Sequence, residues 1–370
     1  MIGDMSHMNR FIVERSVLEN NIRILLNEIT SCKVRGVVKG NGYGLGMIPF
    51  AETLKNKGLD SFAVTMAEDA SELADHGFGR DILMLRSTDD PEELDTLIGA
   101  DAVLTVGSAR TWSAVTEACR RNGKNARVHL YFDCGMCREG FDMEDVAHVL
   151  PILKDNGPVT VSGVYTHFPR AGGPADHTKT RFDRFMKTVD LLKASGWNGE
   201  VHCANSIAAM RFPDMRLDSV RIGSAFLGRV SYDGAPDRGL RPVGFLECGI
   251  SDIRTVRKGE SIGYGGIWTA GRESRIAVLD AGYFEGINTE IGREMFSASD
   301  HIRAALSPIK RMIRGGGLYA TVNGKRVPVV GRVAMQQTML DVTDVPCSVH
   351  DRAVLPCNPL LVRNVKIEYR

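Results

Sequence analysis

Between residues 16 and 230 the chain alternates short runs rich in β-branched residues with stretches of helical periodicity, and the strand-like runs number eight. They are Lys33–Lys39, Ser61–Thr65, Asp81–Arg86, Asp101–Val106, Ala126–Asp133, Val159–His167, Glu200–Ala204 and Leu217–Ile222. Helix-like segments separate most of them, as at Met66–His76, Pro91–Leu97, Ala109–Arg121 and Thr178–Ser195. A leading helix opens at Ser16, with Glu19 three residues on completing a capping box. Leu18, Ile22, Leu25 and Ile29 then share one face. This helix supplies the member otherwise missing after the eighth strand. Such an alternation predicts an α/β fold, a (β/α)8 barrel of the TIM type, in preference to an open doubly wound sheet.

Beyond residue 240 the pattern changes. Helical periodicity survives only around Asp300–Ile313, and glycine turns dominate. Asn323-Gly324 between Leu318–Val322 and Arg326–Val330 is a hairpin signal. We therefore expect a barrel domain over residues 10–240, a mainly β domain over 241–370, and residues 1–9 as a loose leader.

Composition narrows the function classes. A formal net charge of +1 offers no footprint for nucleic acid or an anionic membrane. No apolar run approaches the ~20 residues of a membrane span, and the N-terminal residues lack the apolar stretch of a secretory signal. Eight cysteines without framework spacing point to a reducing cytoplasm. Cys134 and Cys137 form a lone C-x-x-C after a strand, without a second pair for zinc, and are expected to be incidental.

Barrel enzymes carry their chemistry at the C-terminal ends of the strands. Strand one ends at Lys39 in VVKGNGYGLG, strand five runs through Asp133 to Arg138, and strand six ends at Thr166-His167. Strand seven leads into Asn205-Ser206 and strand eight ends at Arg221-Ile222-Gly223. A lysine at the end of a buried strand is costly as a cation, and desolvation lowers its pKa towards a nucleophilic amine. The glycines after Lys39 fit neither the dinucleotide nor the P-loop motif. Loops after strands seven and eight are the usual phosphate site of a barrel, where Ser206, Gly223 and Ser224 can donate. A Schiff-base lysine and a phosphate cradle on one face together suggest pyridoxal phosphate.

With VVKGNGYGLG, FDCGMCREGF, GVYTHF, Asn205-Ser206, VRIGSAFLG, DAGYFEG and VGRVAMQQTMLDV in this order, the chain resembles the alanine racemase family. The resemblance implies a pyridoxal phosphate enzyme with an N-terminal barrel and a C-terminal β domain, acting as a homodimer with shared active sites. It implies that Lys39 anchors the cofactor and serves as one base, and that Tyr283 of the partner subunit is the opposite base. His167 would tune that tyrosine. Arg221 would face the pyridine nitrogen. Tyr43, Ser206, Gly223, Ser224 and, near the C-terminus, Tyr369 would hold the phosphate. Arg138 and the backbone of Met335 would take the substrate carboxylate.

Two positions depart from the pattern. A lysine that commonly supports the carboxylate-binding arginine falls at Tyr131, and an aspartate after the methionine of the carboxylate motif is Gln336. Both leave racemisation expected but open the substrate to serine or other small amino acids besides alanine. The alternatives are a fold-related decarboxylase, whose carboxylate-side motif is missing, and a non-catalytic pyridoxal phosphate protein, which needs neither a β domain nor Tyr283.

Overall fold

The computed structural model describes residues 9–370 except 80, 145, 155–156, 231, 233 and 291–316. The described residues form two compact units, Ser16–Pro242 and a second made of the stretch up to Arg15 with Val243–Arg370.

The first unit is the expected eight-stranded parallel barrel. Its strands are Lys33–Val37, Phe62–Val64, Ile82–Ser87, Val103–Val106, Ala126–Asp133, Val159–Tyr165, Glu200–Asn205 and Ser219–Ile222. Each pairs in parallel with its neighbour, and strand eight closes on strand one with Ser219 opposite Lys33 and Arg221 opposite Arg35. A two-residue strand, Phe141–Asp142, is appended to strand five. The leading helix spans Arg15–Glu28 and buries Leu18, Ile22 and Leu25 completely, as the periodicity required. Each such side chain is worth roughly 1.5–3 kcal/mol of transfer free energy. Asn21 on the same face is fully buried, and its amide bonds the carbonyls of Phe226 and Arg241 and the N–H of Arg241. The helix thus docks beside the chain leaving strand eight, in the place foreseen for it.

Local chemistry sets the helix ends. Asp90 accepts from the N–H groups of Glu92 and Glu93 ahead of Pro91. Ser108 and Thr111 form a capping box, and Gly123 at φ 60° ends that helix. The expected box at Ser16 is not formed, because the leading helix starts one residue earlier. The first helical N–H, on Arg15, bonds instead to the carbonyl of Arg370. A helix at Met47–Asn56, absent from the sequence reading, follows strand one.

The barrel interior near the strands' N-terminal ends is polar. Arg35 is fully buried and paired with Asp81 at 2.5 Å and Glu200 at 3.1 Å. A buried charge is tolerated only with partners of this kind. Above it, Val37, Ala63, Leu83 and Val103 form an apolar cluster against Tyr43 and Leu85.

The second unit is an eight-stranded, largely antiparallel sheet. Its long strand Phe245–Val256 pairs with Arg352–Leu355, Ser274–Leu279 and Arg10–Val13. The hairpin Tyr319–Val322/Lys325–Val330 turns at Asn323 and Gly324, both at positive φ. Two expectations need correction. Residues 10–13 are a strand of this unit, not of the barrel, because their N–H and C=O groups pair with Phe245–Val256 and Lys366–Tyr369. Asn9 is no loose leader, since it is 9% exposed and its amide bonds the carbonyl of Asp280 at 2.8 Å. The helix expected at Asp300–Ile313 lies outside the described residues. Among the described residues no helix is long and apolar enough to cross a membrane.

Candidate active site

The C-terminal mouth of the barrel holds a cavity of about 200 Å³ lined by Lys39, Tyr43, His167, Ser206, Arg221, Gly223 and Ser224, with Val37, Leu85, Asn205 and Ile207. Seven of the residues singled out in the sequence therefore converge on one cavity.

Strand one stops at Val37, two residues short of Lys39. Residues Gly40 to Gly44 then all take positive φ, from 52° to 85°. Such a left-handed run is open to glycine and asparagine and costly for most other residues. This is why the segment alternates glycine with Asn41 and Tyr43. The glycines thus serve the turn itself. The turn sets Lys39 and Tyr43 on the cavity wall. Burial, with Arg138 and Arg221 nearby, lowers the Lys39 pKa, as a nucleophilic amine requires. Burial raises the Tyr43 hydroxyl to about 12, so it remains a neutral donor.

Strand seven ends at Asn205, whose side chain caps the short helix Ser206–Arg211 by accepting from the N–H of Ala208. That cap fixes Ser206, whose hydroxyl accepts from the N–H of Gly223 at 3.1 Å. A methyl group added to Gly223 would lie 2.4 Å from Tyr43 Oη, so only glycine lets the strand-eight turn and the tyrosine meet. Ser206, Tyr43 and the Gly223–Ser224 backbone form a cradle of neutral donors beside an amine of lowered pKa. That donor set fits a phosphate group and an aldehyde carried by one molecule, and so fits pyridoxal phosphate.

Arg221 is held by neighbours the sequence reading missed. It is 3% exposed and donates to His202 Nδ1 at 2.5 Å and to the carbonyls of Thr166 and Cys203 at 2.8 and 3.1 Å. Its guanidinium lies 5.1 Å from the centre of the Tyr165 ring, on which His202 stacks. Arg221 can only donate, so His202 Nδ1 must accept. The His202 proton then sits on Nε2 and points at His129 Nδ1, 2.9 Å away. Burial first, then Arg221, keeps His202 well below the usual histidine pKa, and burial with Arg35 nearby brings His129 to about 3. His167 is brought to about 3 by burial, Arg221, Lys39 and Arg138, so it too is neutral near pH 7. Ionisable residues on the inward face of buried strands were the available signal for His129 and His202.

Arg138 is exposed, on the loop after strand five. Asp133 holds that loop by accepting from the N–H groups of Gly135, Met136 and Cys137. Cys134 is buried and directs its thiol to the carbonyl of His167, while Cys137 is exposed. All eight cysteines are free thiols.

The remaining expected residues lie in the β unit. Tyr283 N–H donates to the carbonyl of Ala334 and Phe284 N–H to that of Met335. The DAGYFEG and VAMQQ segments are therefore laced together, bringing Tyr283 and Met335 side by side. Gly282 has no room for a side chain, since a methyl would lie 2.1 Å from the Ala334 carbonyl. Glu285, buried and unsuspected from sequence, accepts from the N–H of Gly282 at 2.7 Å, and Thr338 bonds the carbonyl of Ala281. This rigid corner presents Tyr283 at 48% and Met335 at 54% exposure. Tyr369 lies in the strand Lys366–Tyr369, paired with Arg10–Val13, with the Arg15 guanidinium over its ring.

Two family models match nearly end to end. "Alanine racemase, N-terminal domain" covers residues 13–230 and "Alanine racemase, C-terminal domain" covers 243–365. The chain belongs to the alanine racemase family. Among its curated relatives, the alanine racemase of Sorangium cellulosum is 33% identical over 89% of this chain and 83% of its own length. That of Desulforamulus reducens is 32% identical over 87% and 82%. Among solved structures, alanine racemase of Clostridium difficile superposes with a TM-score of 0.81 at 27% identity, covering 94% of this chain and 86% of that one. The family is one of isomerases, and the barrel joined to a β unit is its architecture.

Proposed function

We propose that this protein racemises a small amino acid, L-alanine to D-alanine in the first instance, with pyridoxal phosphate as cofactor. The observation that carries the reading is the single cavity joining an amine of lowered pKa, Lys39, to Arg221, His167 and a neutral phosphate cradle. Lys39 would hold the cofactor covalently, and Tyr43, Ser206 and the Gly223–Ser224 backbone would hold its phosphate. Arg221 would face the pyridine nitrogen as a permanent cation that does not give up a proton. When bound, pyridoxal phosphate supplies the electron sink that acidifies the substrate Cα–H.

Racemisation removes a proton from one face of Cα and returns one to the other, which requires a base on each face. Lys39 serves one face. Tyr283 of the partner subunit serves the other, held stiff by the Gly282–Glu285 corner. Neutral His167 would accept a hydrogen bond from that tyrosine and orient its hydroxyl. Arg138 would grip the carboxylate together with the N–H of Met335 of the partner subunit, which comes with Tyr283 on the same corner. The arrangement calls for a homodimer. The exposure of Tyr283, Phe284 and Met335 on one laced corner supports a surface of the β unit built to be covered. Eight free thiols fit a reducing compartment such as the cytoplasm.

Tyr131 and Gln336 favour a second reading of the substrate alone, namely serine or a broader set of small amino acids. The test is deuterium uptake at Cα from D2O with L-alanine, L-serine and larger amino acids, followed by NMR, with chirality read by chromatography. Uptake with loss of optical activity, abolished together with the visible cofactor absorbance in Lys39→Ala, is the expected result. Cofactor absorbance without uptake from any amino acid would replace the racemase by a non-catalytic pyridoxal phosphate protein.

A further inference from the structure

The substrate-carboxylate arginine of this chain stands without the lysine that the family resemblance led us to expect beside it. Tyr131 occupies that place on strand five, 1% exposed, and its hydroxyl has no hydrogen-bond partner among the described residues. A neutral, unpartnered phenol gives Arg138 no charge to lean on. The carboxylate that does face Arg138 belongs to its neighbour, Glu139, whose Oε1 lies 3.5 Å from Arg138 Nε.

Glu139 is not a freely swinging surface acid. Its side chain is 18% exposed, and its second oxygen, Oε2, accepts from the N–H of Ser87 at the end of strand three at 2.8 Å. The backbone after it is equally constrained. Gly140 sits at φ 115°, and a methyl there would lie 2.7 Å from the N–H of Asp133 and 2.9 Å from the Tyr131 ring. Gly107, after strand four, packs against Gly140 and Ser87 closely enough to exclude a side chain. At the other end of the loop, the Asp133 carboxylate gathers three backbone N–H groups. Arg138 is thus the exposed tip of a loop pinned at both ends, with one anionic oxygen fixed against its Nε. A fixed anion at Nε restrains the guanidinium plane and leaves the Nη edge to meet a carboxylate in the bidentate manner.

We propose that Glu139, tethered to the Ser87 N–H, is the positioning residue that orients Arg138 for the substrate carboxylate in this chain. The inference rests on the carboxylate role of Arg138 given above, and its test separates the two. Propionate, a carboxylate without an amine, is titrated calorimetrically into holoenzyme of the wild type, Glu139→Gln, Glu139→Asp and Arg138→Leu, and KM and kcat are measured for the same proteins with alanine. Cofactor absorbance checks that each variant is folded and loaded. Glu139→Gln should weaken propionate binding and raise KM by about tenfold, the loss of one charge-assisted support, while kcat changes by less than about twofold. Glu139→Asp keeps the charge and should fall between, which preserves the test if the glutamine variant folds poorly. Wild-type propionate affinity in Glu139→Gln, with binding lost in Arg138→Leu, overturns the positioning role and leaves the Arg138 reading standing. Unchanged affinity in both variants overturns the carboxylate reading of Arg138, and this inference with it.

Discussion

At the residue scale, the site works by burying ionisable groups in stated protonation states. His129, His167 and His202 are all held neutral by burial and by cations: Arg35 near His129, Arg221 near His202, and Arg221, Lys39 and Arg138 near His167. Their folded pKa values lie below the ordinary 6.5 of the unfolded chain, with His129 and His167 at about 3. Below 6.5 the unfolded chain therefore binds protons that the folded chain refuses. The stability these groups contribute is complete above that pH and is lost as pH falls towards 3. Each contributes a slope of up to ~1.4 kcal/mol per pH unit. Denaturant midpoints should hold level above about pH 6.5 and fall between there and pH 5. His129→Asn, which keeps an acceptor for His202 and removes one titrating group, should flatten the slope; an unchanged slope would rule out His129 as a contributor. Gly223→Ala tests the cradle. Its methyl has only Tyr43 to displace, and cofactor affinity, followed by absorbance during dialysis, should drop by at least roughly tenfold.

At the scale of elements, positions that matter are set by turns more than by strands. Val37 and Asn205 end strands one and seven, and the chemistry begins one or two residues later, in a left-handed turn and a capped helix. The β unit does the same with the corner at Gly282. In Gly282→Ala the methyl meets the Ala334 and Met335 carbonyls, so the Tyr283 segment must shift. Barrel and cofactor absorbance should survive, whereas kcat should fall roughly a hundredfold, the usual consequence of misplacing a reacting group by about an ångström. Loss of cofactor absorbance along with activity would show that the corner supports the barrel site and not the tyrosine alone.

At the scale of the whole molecule, the proposal divides the two bases between subunits, and mixing subunits tests that. Lys39→Ala and Tyr283→Phe homodimers should each be inactive. Unfolded together in equal amounts and refolded, about half the dimers are mixed, and each mixed dimer has one site with both bases intact. Roughly a quarter of wild-type activity should return. No recovery, with mixed dimers demonstrated by mass spectrometry, would place Lys39 and Tyr283 in the same subunit's site.

The amino-acid sequence by itself determined the repeated β/α alternation, the change to β structure after residue 240, and Lys39, His167, Ser206, Arg221, Gly223 and Ser224 at the barrel mouth. Each was legible because it depends on local periodicity or on the rule that barrel chemistry sits at strand ends. The Asn323-Gly324 hairpin was legible for the same reason, since two adjacent positive φ values demand those residue types. Tertiary structure alone decided that residues 10–13 complete the β unit, because a four-residue apolar strand carries no sign of its pairing partner. It also decided that His202 and His129 back Arg221, that Glu285 locks the Tyr283 corner, and that Glu139 stands against Arg138. These contacts join residues on different strands, or set one side chain's direction within a loop. Neither depends on spacing along the chain, but on which groups the closed barrel and the closed sheet leave facing one another.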